Sequence, residues 1–131
     1  MTKSLKKCLT VIMFTYDKEK LNYGLSIICA AAAINRPTEI LFAGENIYNL
    51  LDGKHLKKIN RKNLLTFSNS EELLHSAIDL GTSIEICSAA IDKNDINTKQ
   101  LRKDIKITIG GLVSTVSEDP SKHKEKDLIF I

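Results

Sequence analysis

Three cysteines and three histidines are the residues of this chain best suited to covalent or acid–base chemistry. Cys8, Cys29 and Cys87 are widely spaced and form no C-x-x-C pair. Neither a disulfide framework nor a zinc site is therefore expected, and no other metal or cofactor is implied. His55, His75 and His123 all stand in polar contexts. No G-x-S-x-G or H-E-x-x-H accompanies them, so no hydrolase triad or metalloprotease helix can be assembled. His75, one turn before Asp79, reads as a surface residue, as does His123. Phosphate-loop fingerprints are absent too, and Gly110-Gly111 reads as a strand breaker rather than a phosphate cradle. By elimination the chemistry falls to a thiol.

Cys87 has the most telling context, Gly81-Thr-Ser-Ile-Glu-Ile-Cys-Ser-Ala-Ala-Ile91. Gly81 ends the preceding element, and Ile84 and Ile86 suit a buried strand. Cys87 then falls at the strand's carboxyl end, the edge where open α/β sheets carry their ligands. Ser88, Ala89 and Ala90 begin a helical turn whose free N–H groups would stabilise a thiolate. The plainer alternative is that Cys87 packs as a small apolar residue, as free cysteines often do. Cys8 opens an apolar strand and Cys29 sits among alanines, so both read as packing residues. A peroxidase with a resolving partner calls for a second cysteine nearby. With none apparent, carriage of persulfide sulfur between proteins fits a lone thiol better.

The elements that must position Cys87 follow from periodicity. Cys8 to Phe14 is an apolar run rich in β-branched residues, as in a strand covered on both faces. A helix follows, with Asp17 as its N-cap and Leu21, Leu25, Ile28 and Ala32 on one face. Asn35-Arg-Pro37 stops it. Glu39 to Ala43 is a second strand, which completes a βαβ unit. Ile47, Tyr48, Leu50 and Leu51 read as a short amphipathic helix, and Leu64 to Phe67 as a brief extended piece. The basic stretch Lys54 to Asn63 reads as an exposed loop. A second clear helix runs from Glu71 to Leu80, capped at its end by Gly81. Beyond Cys87, a short helix with its turns is expected within Asp92 to Leu101. Ile105 to Ile109 alternates as a strand. Leu112, Val113 and Val116 are expected to face inward from a short helix. Glu118 to Lys126 reads as a charged loop, and Leu128 to Ile131 as a docked terminal strand.

The order of strands and helices, and three segments in particular, carry a family resemblance. Ile84-Glu-Ile-Cys-Ser-Ala-Ala-Ile91 is similar to the hydrophobic strand, cysteine and small-residue turn of the DsrE/DsrF-like family. Ile105 to Leu112 resembles its strand-glycine-leucine segment, and Lys126 to Ile131 its terminal strand. The resemblance implies one DsrE-like domain over residues 1–131. It implies a three-layer α/β/α sandwich with a mostly parallel sheet, assembling into homo- or hetero-oligomers. It further implies that Cys87 accepts sulfane sulfur from a donor protein and passes it to an acceptor. Thr15 and Tyr16, at the end of the first strand, and Ser88 would then line the substrate pocket on the same sheet edge. The alternative is a noncatalytic oligomeric module that binds a protein partner or small ligand.

Composition bounds these readings. At 131 residues, 43% hydrophobic and 27% charged, the chain is an ordinary globular domain. A net charge of +3 is too small to argue for direct nucleic-acid binding. The apolar run behind Lys3, Lys6 and Lys7 is too short for a signal peptide and is broken by Thr15, Tyr16 and Asp17. No stretch approaches the roughly 18 apolar residues of a membrane helix. A cytoplasmic location without membrane attachment is expected.

Overall fold

The apolar run at the start of the chain forms β1, Cys8–Met13, and all six of its residues are buried. A strand of this kind must be covered on both faces. The computed structural model, which describes residues 7–15, 17–52, 70–116 and 125–131, provides that cover. Strands β2 (Thr38–Phe42), β3 (Ser83–Cys87), β4 (Thr108–Gly110) and β5 (Lys126–Phe130) join β1 in one five-stranded sheet. The spatial order is β4-β3-β2-β1-β5, and every neighbouring pair is parallel. The chain thus builds outward from β1 to β4, then returns to add β5 on the other side of β1. The expected α/β fold with a parallel sheet is the observed one.

Register divides the sheet into two unlike faces, because successive side chains alternate. Val11 pairs with Ile40, and Ile40 with Ile84, so one face is apolar at its centre. Helices α1 (Lys18–Ala33) and α2 (Ser70–Asp79) cover that face. Asp17 caps α1, accepting the Lys20 backbone N–H at 3.0 Å. Leu21, Leu25, Ile28 and Ala32 are buried along its predicted face. At Gly24 an added Cβ would stand 3.2 Å from Met13 Sδ and closer still to Ile131, so the missing side chain lets α1 approach the sheet. Cys29 ties the two helices together, its thiol donating to the Leu73 carbonyl at 3.4 Å. Gly81 ends α2 with φ +105°, a backbone state open to glycine at little cost.

The opposite face carries Thr10, Glu39 and Leu128 in register. Glu39 pairs there with Lys126 at 3.3 Å, both side chains nearly buried. Lys126 also donates to the Thr115 carbonyl at 3.1 Å, which fixes the short helix α4 (Leu112–Val116) on this side. Helix α3 (Ser88–Lys93) follows β3 directly.

Several expectations are corrected. The expected helix around Ile47 is a 3-10 segment, Gly44–Leu50, whose Asn46 and Asn49 turn inward and hydrogen-bond each other. In α4 the orientation is reversed. Leu112, Val113 and Val116 face outward and Thr115 is buried, because the helix meets the sheet through its polar contact with Lys126. The strand expected over Ile105 to Ile109 shrinks to Thr108–Gly110. Residues 103–105 bend instead, with Ile105 buried in the core. The terminal strand docks through its backbone ladder but leaves Leu128 and Phe130 exposed. Tyr16, His55, His123, the basic stretch from Lys54, the extended piece Leu64 to Phe67 and most of the Glu118 loop lie outside the described residues.

Candidate functional site

Cys87 is the last residue of β3 and the N-cap residue of α3. This is the strand-end position the sequence assigned to it. Its side chain is 3% exposed, and its sulfur makes no capping hydrogen bond with the first turn of α3. The hydrogen bonding expected from the free helical N–H groups is therefore not formed. The reason lies in strand alternation, which sends Cys87 to the sheet face it shares with Glu85. Beside Cys87 in register stands Gly110 of β4, followed by Gly111. A Cβ on Gly110 would collide with the Glu85 carboxylate, and one on Gly111 would stand 3.7 Å from Ser88 Oγ. Gly110 thus makes room for the Glu85 side chain, whereas the space at Gly111 would admit a Cβ in ordinary contact. Burial, and then the charge of Glu39, push the Glu85 carboxyl above its ordinary range against the opposing effect of Lys126.

The other two thiols are unlike Cys87 in setting. Cys8 is buried, its sulfur 3.8 Å from Thr10 Oγ1, and burial followed by the Glu39 charge pushes its thiol up. Burial does the same to Cys29. Both are held as neutral packing residues.

Thr15 stands elsewhere on the carboxyl edge. Its backbone carbonyl accepts from Asn46 Nδ2 at 2.6 Å, and its hydroxyl accepts from the Asp17 N–H at 3.0 Å. It lines a pocket of about 570 Å³ together with Phe14, Lys20, Glu45, Lys93 and Asn94, among others. Cys87 and Ser88 do not line that pocket. Ser88 is exposed at the start of α3. The predicted residues therefore divide, with Thr15 at the β1 end and Cys87 with Ser88 at the β3 end. Helix α3 runs between them, from Ser88 to Lys93.

A cluster the sequence did not reveal surrounds Arg102. Its side chain is 7% exposed, and it bonds Asp104 at 2.6 Å, Glu71 and the Asn49 carbonyl. His75 Nε2 lies 3.1 Å from Glu71 and 3.6 Å from Asp104. Glu71, His75 and Asp104 thus offer two carboxylate oxygens and an imidazole nitrogen close together. The guanidinium already bonds both carboxylates, so their charge is met in part from within the chain. Burial alone would raise Glu71, but the hydrogen bond and charge of Arg102, with His75, hold it below the ordinary carboxylate range. Hydrogen bonding from Arg102 depresses Asp104 likewise. In the sequence Arg102-Lys-Asp104 looks like any solvated charge run, and nothing local marks Arg102 as buried.

The five-stranded parallel sheet with its helices makes the chain an α/β protein. The sequence profile of the DsrE/DsrF-like family matches residues 7–117, and the chain belongs to this family. Among solved structures, YchN of E. coli is similar at 19% identity and a TM-score of 0.65, over 97% of this chain and 100% of that one. A conserved protein of unknown function from Bacteroides thetaiotaomicron is similar at 14% identity and a TM-score of 0.59, over 100% of each chain. These likenesses concern the fold. No curated protein matches by sequence. Among the described residues no helix is long and apolar enough to cross a membrane.

Proposed function

We propose that this protein is a sulfur-relay carrier that holds sulfane sulfur on Cys87. The observation carrying the proposal is the position of Cys87 as the final residue of a central parallel strand, at the ligand-bearing edge and beside two glycines. Membership of the DsrE/DsrF-like family supports it. In the reaction the Cys87 thiolate attacks the terminal sulfur of a donor persulfide, R–S–SH. A sulfur–sulfur bond forms to Cys87, the donor's bond breaks, and the donor leaves as RS⁻. An acceptor thiolate then attacks the outer sulfur, and Cys87 departs as thiolate. No oxidant or reductant is consumed. A Cys87 that is 3% exposed must open to meet a donor, so loading is limited by local motion near α3. Incubation with a cysteine desulfurase and labelled cysteine should yield protein heavier by one sulfur atom, with the label on the Cys87 peptide. A label retained in Cys87→Ser overturns the proposal.

Burial of Cys87 supports a second reading, a noncatalytic module that works by assembly. Leu128 and Phe130 of β5 share a sheet face with α4, whose Val113 is 79% exposed. This apolar surface suits contact with another subunit. The two readings part on thiol kinetics. Native Cys87 that reacts with iodoacetamide no faster than global unfolding allows favours the module.

A further inference from the structure

We propose that the pocket at the end of β1 is a second site, separate from Cys87, which binds a small organic anion with an apolar body. Strand order singles out this place. The sheet grows from β1 through β2 in one direction, and β5 is added on the other side, so the β1–β5 boundary is where the order reverses. Open parallel sheets bind ligands in the crevice outside the strand ends at such a reversal. The pocket lies there. Phe14 and Thr15 continue β1, and both of their N–H groups bond the Ile131 carbonyl at the end of β5, at 2.7 and 3.0 Å.

Its size and lining define the ligand class. About 570 Å³ lies within the roughly 300–1,000 Å³ typical of small-molecule sites. Phe14 and Ile131 supply apolar wall, and the Phe14 ring stacks on Phe130 with centroids 5.8 Å apart. Lys20 and Lys93 supply two cations against one lining carboxylate, Glu45, and among the described residues no ion pair joins either lysine to a carboxylate, so these side chains leave the pocket net positive. Asp17 already accepts the Lys20 backbone N–H, so the anion is met by lysine side chains rather than by the end of α1.

The walls are also braced before any ligand arrives. Asn46, fully buried, holds the Thr15 carbonyl. Gly44 has φ +59°, and the Phe14 ring occupies the space where its Cβ would be. Asn94 is held from two sides. Its amide donates to the Ala90 carbonyl at 2.8 Å, and its oxygen accepts from Tyr48 at 3.3 Å. Such bracing lowers the ordering cost of binding.

The test titrates the amide NMR spectrum of the full chain with phenyl phosphate, with phenylacetate, and with neutral benzyl alcohol. Saturable shifts should appear at Thr15, Gly44 and Asn94, with both anions binding more tightly than the alcohol. Lys20→Met and Lys93→Met should each weaken the anions by about tenfold, the usual scale of a charge-assisted contact. Lys106→Met, a surface control, and Cys87→Ser should leave binding unchanged. The ranking of phenyl phosphate and phenylacetate then distinguishes phosphate esters from carboxylic acids. Absence of saturable shifts, shifts centred away from these residues, or equal binding of the neutral alcohol overturns the proposal without recourse to any variant. Because Cys87→Ser is expected to bind normally, failure of the sulfur-carrier reading leaves this site standing, and the reverse also holds.

Discussion

Arg102 illustrates how much one side chain decides. It joins α2, through Glu71, to the 3-10 segment, through the Asn49 carbonyl, and to its own loop through Asp104. Replacing it with methionine leaves the half-buried Glu71 carboxylate without its cation. A loss of about 3 kcal/mol is expected, read from urea denaturation, since breaking one partner of such a pair costs more than the pair contributes. Lysine at this position should recover little, because a compact ammonium cannot satisfy two carboxylates and a carbonyl through a planar fork. The pH dependence has a definite sign. The pKa values of Glu71 and Asp104 are depressed in the fold. Their contribution is present above the ordinary carboxylate range and is lost as pH falls through and below it. Stability of the natural protein should therefore drop on acidification, and Arg102→Met should flatten that drop. Glu85 has the opposite sign. Its raised pKa means that the charged form burdens the fold above that pKa and the burden lifts as pH falls. Glu85→Gln should raise the denaturation midpoint at neutral pH and lose its advantage in acid.

At the level of elements, capping and turns carry testable weight. Asp17→Ala removes the acceptor for the Lys20 N–H and should cost about 1 kcal/mol, measured by the urea midpoint. Gly44→Ala meets two penalties together, a left-handed backbone and the Phe14 ring. Its effect should exceed that of Asp17→Ala and should also distort the pocket behind Phe14. Local signals identified these elements well where they were strong. The Asp17 cap, the apolar stripe of α1 and the Gly81 stop are all found where residue chemistry put them. They failed where an element is short. In α4, five residues of mixed character fit either orientation, and contact with Lys126 selects the one that exposes Val113. Alternation over Ile105 to Ile109 looked like a strand. An edge position and the bend after Arg102 shorten it, and edge strands are commonly kept short.

Across the whole molecule, the unlike character of the two sheet faces decides what remains available. One face is closed by α1 and α2. The other carries Leu128, Phe130, Leu112, Val113 and Val116 with substantial exposure. An assembly surface predicts that the natural chain sediments as an oligomer, and that Phe130→Asp shifts it toward monomer without lowering its helical circular dichroism. A monomeric natural chain at micromolar concentration would sink this expectation.

The sequence by itself determined the βαβ unit, the buried strands, the helix caps and the place of Cys87 at a strand end. Each depends on residue types within a few positions of one another, and periodicity and capping encode that local information directly. Only the tertiary structure decided that β5 returns beside β1, bringing Ile131 to Phe14 and Thr15 and opening a pocket that excludes Cys87. It alone decided that Arg102 is buried against Glu71 and that Gly110 of β4 stands beside Cys87. These juxtapositions join residues distant in sequence. They depend on where the chain crosses back over the sheet, and no local pattern of residues carries that choice.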